Sequence, residues 1–194
     1  MTVLYLARHG ESDWNAANRF QGHSDRPLTE LGRRQAELLA EDLAEATSLS
    51  AIYSSPLRRA LETAAIVGAR LGLVPVELEG LREVDVGSWA GLSRTEVEQR
   101  YPEAFRRWLD GGEGWEDGES YAAMAARVLE TVRAIARVHP NDALLLVSHG
   151  GPIRAVQAAA DGMDVHDYRR LSRVEPNAGL SRVAVEDGRI SRLD

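Results

Sequence analysis

The amino-acid sequence predicts an α/β domain in which helices and strands pack as separate layers. The first observation is that short apolar runs alternate with longer segments of helical periodicity along the chain. The second is the length, because 194 residues are enough for one substantial core and rather few for two. The third is that no repeat, low-complexity segment or linker interrupts the pattern, so we expect one domain over residues 1–194.

Strands are predicted where a short apolar run ends in glycine, serine or proline. The first run contains β-branched and aromatic residues and is followed by a long polar loop over residues 10–28. The last two runs are separated by Asp187 and Gly188, which is typical of a tight hairpin turn. We therefore expect strands over residues 3–7, 51–53, 74–78 and 143–147, and a terminal hairpin over residues 180–185 and 189–193.

Helices are predicted where apolar residues recur every three or four positions between these strands. The first helix starts near Thr29, and its helical spacing is given by Leu31, Gln35, Leu38, Leu39 and Leu43. A second helix opens after Pro56 and is ended by Gly72. The remaining helical segments are one or two helices over residues 93–109, a long helix capped by Ser120, and a helix that begins near Pro152.

Composition excludes several classes of function. The net charge of −7 argues against a general nucleic-acid-binding role, and no apolar stretch is long enough for a transmembrane helix. The chain has no cysteine, which excludes disulfides and thiolate catalysis, and it shows no secretory signal, so we expect a cytoplasmic protein. All 23 basic residues are arginines, so every cationic contact to a ligand must come from arginine or histidine.

Three of the predicted strands end in residues that are able to bind an anion. The first is followed by Arg8 and His9, the second by two serines and then Arg58 and Arg59, and the fourth by His149 with two glycines. Ligands bind at the carboxyl edge of an open α/β sheet, so adjacent parallel strands would bring these groups together. Several cationic groups crowd together only around an anion, and a phosphoryl group suits the fork geometry of arginine.

The motifs around these residues resemble the histidine phosphatase (phosphoglycerate mutase-like) superfamily over nearly the whole chain. The resemblance is carried by six segments in the family's order and spacing: residues 8–15, 27–32, 55–64, 81–91, 118–127 and 148–151. It implies a three-layer sandwich with a mostly parallel central sheet flanked by helices. It also implies a phosphomonoester hydrolase that acts on a small phosphorylated metabolite. We expect no metal and no cofactor, because His9 and His149 are better explained as phosphate ligands and no acidic cluster accompanies them.

The resemblance also implies a role for each matching residue. His9 would be the nucleophile that forms a phosphohistidine, and Glu83 would be the general acid and later the base that activates water. Arg8, Arg59 and a protonated His149 would bind the phosphoryl oxygens. Arg58 is a neighbouring candidate, but the family's arginine directly precedes an alanine. We expect substrate contacts from Asn15, Gln21, Gly22, Gly150 and Arg82.

Two alternatives to a phosphatase stay open. A cofactor-dependent phosphoglycerate mutase shares the motif at residues 8–15, but such enzymes carry extra sequence near the middle and a lysine where Ser93 and Arg94 follow Leu92. A non-catalytic domain that binds phosphorylated ligands is the second alternative. The substrate itself cannot be inferred, although Arg82, Arg94, Arg106 and Arg107 are candidates to bind a substrate carboxylate. A homodimer is also possible.

The segment of residues 111–119 is predicted to be mobile, because it is rich in glycine and acidic residues. It contains Trp115, which we single out as a candidate lid over the substrate. We expect the segment to set substrate specificity, and its acidic character argues against highly anionic substrates.

Overall fold

A computed structural model describes residues 1–193 and has a mixed α/β fold. One six-stranded sheet has the order β3-β2-β4-β1-β5-β6, and β1 to β4 run parallel while β5 and β6 are antiparallel to their neighbours. The strands are β1 Thr2–Arg8, β2 Ala51–Ser54, β3 Val76–Glu77, β4 Ala143–Ser148, β5 Leu180–Glu186 and β6 Arg189–Arg192.

Helices cover both faces of the sheet. They are α1 Asp13–Ala16, α2 Glu30–Ala46, α3 Arg58–Leu71, α4 Arg94–Arg100, α5 Pro102–Leu109, α6 Tyr121–Val138, α7 Gly150–Ala160 and α8 Val165–Leu171. Two hydrophobic clusters result: Leu4 and Leu6 belong to one, with residues of α6 and α7, and Ala7 belongs to the other, with residues of α2 and α3. Alternate residues of β1 thus point to opposite faces, and the three-layer prediction is confirmed.

The first long helix buries a different stripe from the one that the leucine spacing predicts. Leu31 and Leu38 are 49% and 60% exposed. The helix α2 instead buries two leucines of the predicted stripe together with three small residues: Gly32, Ala36, Leu39, Ala40 and Leu43. Small residues bring the α2 backbone close to the loop after β1, and this contact outweighs the burial of two leucines.

Most other predicted elements are confirmed, with differences at their ends. Residues 93–109 form two helices, Ser120 caps α6, and Gly72 ends α3 in the left-handed conformation with φ of 71°. The third strand is only two residues long, and α7 begins at Gly150 rather than near Pro152. The short helices α1 and α8 were not predicted. Among residues 1–193, no helix is both long and apolar enough to cross a membrane.

Candidate active site

The carboxyl ends of β1, β2 and β4 meet at one edge of the sheet, as the sequence predicts. Arg8 on β1 is in register with Ser148 on β4, so the two histidines that follow these strands lie side by side. The ring centroids of His9 and His149 are 5.1 Å apart. Ser54 on β2 is in register with Val147 on β4, which brings the start of α3 to the same edge.

Arg8, His9 and Arg59 line a cavity of about 200 Å³, and His149 is fully buried beside His9 without being part of the lining. The cavity also contains aromatic and basic side chains from α5, α6, α7 and α8, together with the single carboxylate of Glu83. A larger groove of about 500 Å³ lies at the opposite end of β1 beside Met1 and Thr2, but no histidine of residues 1–193 lines it. We therefore take the smaller cavity as the candidate active site.

The ring of His9 is held in one tautomer. The Nε–H of Arg59 lies 3.2 Å from the Nε2 atom of His9, and a guanidinium is only a donor, so Nε2 carries the lone pair. The hydrogen is therefore assigned to Nδ1, which donates to the carbonyl of Gly10 at 2.6 Å. Burial, together with the positive charges of Arg59 and Arg8, holds the pKa of His9 well below its ordinary value. His9 is thus a neutral imidazole with an available lone pair.

The turn after His9 requires glycine because two backbone segments approach closely there. A Cβ atom on Gly10 would lie 2.3 Å from the carbonyl oxygen of Gly32 at the start of α2. The N–H of Gly10 donates to the hydroxyl of Thr63 on α3 at 3.0 Å. Contacts with both helices therefore fix the carbonyl that orients His9.

Arg8 and Arg59 bring two buried guanidinium groups to the ring of His9. The terminal nitrogens of Arg59 donate to the carbonyls of Gly22 at 2.9 Å and Ser24 at 2.8 Å. Burial is the largest cause that lowers the pKa of Arg59, to about 10, so this group stays charged at neutral pH. Arg8 donates to the carbonyl of Glu175 at 2.7 Å, and its buried Nε has no partner within residues 1–193.

His149 is also buried, and its Nε2 lies 2.8 Å from the hydroxyl of Ser55. That hydroxyl accepts the backbone N–H of Leu57 at 3.3 Å, so we assign its own hydrogen to the bond with His149. The ring hydrogen of His149 is then on Nδ1, which is buried and has no partner in the part of the chain that the structure describes.

The expectation of a protonated His149 is not met in the structure. Burial, followed by the positive charge of Arg59, lowers the pKa of His149 well below its ordinary value. The ring is therefore neutral, and it supplies a hydrogen-bond donor instead of a full charge. The sequence predicts that Arg59 and His149 meet at one edge of the sheet, but not that the ring of His149 is fully buried there.

Glu83 lies on the loop before α4 and is held against the start of α7. Its Oε1 accepts the backbone N–H of Gly151 at 3.1 Å and of Val84 at 2.9 Å. A Cβ atom on Gly151 would lie 2.4 Å from the same oxygen, which explains why this strand ends in two glycines. Oε2 accepts the same N–H of Gly151 at a longer distance of 3.4 Å, so it is the oxygen of Glu83 that is better able to carry a proton.

Arg127 belongs to the matching segment of residues 118–127, and the structure shows a role for it that the sequence does not reveal. Its guanidinium donates to the carbonyls of Gly80 at 3.0 Å, Arg82 at 2.9 Å and Glu83 at 3.3 Å. It also forms an ion pair with Glu119 at 2.6 Å. Arg127 on α6 therefore fixes the backbone of the loop that carries Glu83.

Asn15 and Gln21 both line the cavity, where they were expected. The amide oxygen of Asn15 accepts from the backbone of Ser12 at 3.1 Å and from the side chain of Asn177 at 3.3 Å. This leaves the NH₂ group of Asn15 for a ligand. Asn177 also donates to the carbonyl of His9 at 3.1 Å. No sequence pattern pointed to Asn177, which lies in the loop before the terminal hairpin.

The other expected contact residues lie in different places. Gly22 and Gly150 line the cavity, but the carbonyl of Gly22 is already bound to Arg59. Arg82 is not brought to the cavity wall, and its side chain pairs with Glu79 at 2.6 Å, so this geometry does not support its expected contact with substrate. The arginine extends away from Glu83 because the extended backbone directs neighbouring side chains to opposite sides.

The cavity continues past Glu83 to residues that were not predicted. Arg154 on α7, Arg169 on α8 and Tyr121 on α6 line this part. The guanidinium carbon of Arg169 lies 3.5 Å from the centroid of the Tyr121 ring. Helical periodicity could have revealed Arg154, since it lies one turn after Gly151 on the same face. Arg169 had no such signal, because α8 itself was not predicted.

The segment of residues 111–119 is packed against the core instead of lying open. Trp115 is 5% exposed, and its ring contacts those of Trp89 and Tyr121, with centroids 5.6 and 5.4 Å apart. Its indole N–H donates to the carbonyl of Glu119 at 2.8 Å. Trp115 therefore forms a wall of the cavity in this structure. Its apolar contacts offset the conformational entropy that is lost when the glycine-rich segment is ordered.

A metal centre was not expected here. Among residues 1–193, no three histidine, aspartate or glutamate side chains are grouped so that they could hold a metal ion. Apart from the carboxylate of Glu83, the charged side chains that converge on the cavity are arginines, which are donors and suit an anionic ligand.

Comparison with known proteins agrees with the geometry. The model of the histidine phosphatase superfamily (branch 1) matches residues 4–193. Phosphoserine phosphatase 1 of Hydrogenobacter thermophilus is 36% identical over 191 residues, which cover 97% of this chain and 89% of that protein. A probable phosphoglycerate mutase, GpmB of Yersinia pestis, is 36% identical over 193 residues, which cover 96% and 86%.

A solved structure is similar over nearly its whole length. YhfR of Bacillus stearothermophilus superposes with a TM-score of 0.91 at 34% identity, covering 99% of this chain and 95% of that one. The match of fold and sequence extends from the first strand to the terminal hairpin. The chain belongs to the histidine phosphatase superfamily, branch 1.

Proposed function

We propose that the protein is a phosphomonoesterase that hydrolyses a small phosphorylated metabolite through a phosphohistidine on His9. The observation that carries this proposal is the Nε2 atom of His9, a lone pair beside the guanidinium of Arg59 and the ring of His149. A neutral imidazole is a nucleophile, and the surrounding donors match the charge of a phosphoryl group. The similarity to a named phosphoserine phosphatase supports the same reaction.

In the first step the Nε2 lone pair of His9 attacks phosphorus, and the bond from phosphorus to the ester oxygen breaks. Glu83 gives its proton to that oxygen, so the alcohol leaves as a neutral molecule. Arg8, Arg59 and the Nδ1–H of His149 bind the other phosphoryl oxygens. Phosphoryl transfer has a loose transition state, so these fixed donors act by positioning and charge stabilisation.

In the second step water attacks the phosphohistidine, and Glu83 accepts a proton from the water. The bond between phosphorus and Nε2 breaks, which returns the electron pair to His9 and releases inorganic phosphate. The carbonyl of Gly10 stabilises the positive charge that the ring carries while it is phosphorylated, because it keeps the Nδ1 hydrogen bond throughout.

Rapid quenching after mixing with a ³²P-labelled phosphomonoester tests this mechanism. We expect an acid-labile, base-stable label on His9 in the wild-type protein and none in His9→Ala. Glu83→Gln should slow turnover of alkyl phosphates much more than of aryl phosphates, whose leaving groups need no proton. Turnover that survives in His9→Ala would contradict the proposal. A metal chelator is expected to leave the rate unchanged.

A mutase is the second candidate, because a probable phosphoglycerate mutase is about equally similar to the chain. A mutase returns the phosphoryl group to a second acceptor, whereas a phosphatase gives it to water. Measuring inorganic phosphate against phosphorylated product from one labelled substrate separates the two, and we expect release to water. Pairing of two copies and a cytoplasmic location stay predictions, the first testable by light scattering.

A further inference from the structure

We propose that Arg154 and Arg169 form a second anion-binding subsite, which selects phosphomonoesters whose leaving group carries a carboxylate. This inference rests on the proposed function and extends it to a substrate class. It concerns the part of the cavity beyond Glu83, where the substituent of the phosphate ester would lie.

The first argument is the charge that the cavity leaves unbalanced. Four of its arginines have no carboxylate oxygen within 4.0 Å in the described part of the chain: Arg8, Arg59, Arg154 and Arg169. Glu83 is the single acidic residue in the lining. A phosphate dianion beside His9 balances two of these charges. Glu83 offsets part of the charge on Arg154 and Arg169, and Glu113 offsets part of that on Arg169, so the cavity keeps an excess of positive charge that a further negative group would balance.

The second argument is the position of Arg154 relative to the group that protonates the leaving oxygen. Gly151 donates its N–H to Glu83, and Arg154 follows one turn later on the same face of α7. In an in-line displacement the leaving oxygen lies opposite the attacking nitrogen, so the substituent extends from the side of Glu83. The substituent therefore meets Arg154 next.

The third argument is that both guanidinium groups are held in place while keeping donors free. Arg154 donates one terminal nitrogen to the carbonyl of Ser172 at 2.9 Å, and its Nε has no partner within residues 1–193. Arg169 is stacked on Tyr121 and donates to the carbonyls of Gly111 and Gly112. Fixed side chains lose little conformational entropy on binding a ligand, so they favour recognition.

A carboxylate suits this subsite better than a second phosphate. It is planar and presents two oxygens to the donor fork of an arginine. The subsite therefore favours a phosphorylated hydroxy or amino acid.

Two substrates that differ only in a carboxylate test the inference: phosphoserine and phosphoethanolamine. The ratio of their kcat/KM values is measured for wild type, Arg154→Gln, Arg169→Gln and the control Arg170→Gln. Arg170 neighbours Arg169 on α8, but it is exposed and pairs with Asp167 at 3.8 Å. The ratio is unaffected by the fraction of inactive protein, because both rates come from one preparation.

We expect wild type and Arg170→Gln to prefer phosphoserine by about tenfold or more. The ratio should fall by about tenfold in each of Arg154→Gln and Arg169→Gln, mainly through the KM of phosphoserine. Arg154→Lys and Arg169→Lys should restore part of the preference, because the charge remains while the fork is lost. Rescue of this kind distinguishes ligand binding from a merely structural effect.

Two different results would overturn different claims. If wild type hydrolyses both compounds equally and the ratio does not change in the arginine variants, the subsite is wrong while the phosphatase assignment stands. If wild type releases phosphate from neither compound and His9 takes up no label from either, the proposed function fails and the subsite fails with it.

Discussion

The two ends of the cavity are built in different ways. The phosphate end, defined by Arg8, His9, Arg59 and His149, follows directly from β1, β2 and β4, whose register is fixed by the sheet. The leaving-group end, defined by Tyr121, Arg154 and Arg169, comes from three helices whose positions depend on side-chain packing. Backbone pairing therefore positions the proposed chemistry, and packing positions the proposed specificity.

This difference suggests how the two ends respond to change. Arg59 donates to carbonyls of the loop that contains Gly22, and this loop also packs on Val86. Arg169 donates instead to the carbonyls of Gly111 and Gly112, at the start of the segment of residues 111–119. A substitution in that segment would move the leaving-group end and leave the strand ends in register. Specificity should therefore be easier to alter than the reaction itself.

Replacing Arg59 is expected to have the largest effect, because it acts on the phosphate end. Arg59→Gln removes a charged donor beside Nε2 of His9, so kcat/KM should fall by roughly 10²- to 10³-fold. The loss should be equal for phosphoserine and phosphoethanolamine, since both carry the same phosphate. The control is Arg58→Gln, whose exposed side chain pairs with Glu62. Unequal losses would show that the two ends are not separate.

A glycine in the segment of residues 111–119 tests the leaving-group end. A Cβ atom on Gly114 would lie 2.0 Å from the buried ring of Trp89, so Gly114→Ala should cost about 1–3 kcal/mol of stability. Because the segment must shift, the ratio between phosphoserine and phosphoethanolamine should also fall. Thermal unfolding and steady-state kinetics measure the two effects. Glu116→Ala, an exposed change in the same segment, should alter neither.

The sequence predicts the phosphate end well because strand ends are local features. The residues after β1 and β4 are adjacent to recognisable apolar runs, and a parallel sheet brings such ends together wherever the strands pair. His9, Arg59 and His149 therefore lie where the motifs predict. Glu83 lies on an irregular loop, so it was identified as a candidate from the family motif and not from any pattern in the neighbouring residues.

The leaving-group end could not be predicted for a physical reason. Its residues meet only because Tyr121 on α6 packs under Arg169 on α8, and such contacts between helices leave no local pattern. Arg82 differs for a local reason, because the extended backbone directs its side chain away from Glu83 and towards Glu79. The burial that lowers the pKa of His149 likewise depends on packing that the strand pattern does not show.

Acid should lower the free energy of unfolding of the protein through the buried, neutral His149 of the phosphate end. Burial lowers the pKa of His149 in the folded protein, while the unfolded chain has the ordinary value of about 6.5. Below pH 6.5 the unfolded state therefore binds the extra proton, and the free energy of unfolding falls as pH falls. His149→Asn removes this contribution, which is roughly 1.4 kcal/mol per pH unit. Denaturant unfolding from pH 7 to 5 should give a shallower curve for the variant, and parallel curves would contradict a buried neutral ring.

The smallest expected effect concerns Ser55, which positions His149 at the phosphate end. Ser55→Ala removes the hydroxyl that lies 2.8 Å from Nε2, so the ring is free to place its hydrogen on either nitrogen. One lost hydrogen bond of about 1 kcal/mol corresponds to roughly a fivefold fall in kcat/KM. Ser55→Thr keeps the hydroxyl and should retain most activity. Nitrogen NMR of the labelled ring gives the decisive reading: wild type should show the hydrogen on Nδ1, and Ser55→Ala should show a mixture. If the ring of His149 keeps one tautomer in Ser55→Ala, packing alone fixes that ring. The phosphate end would then depend on packing as much as the leaving-group end does.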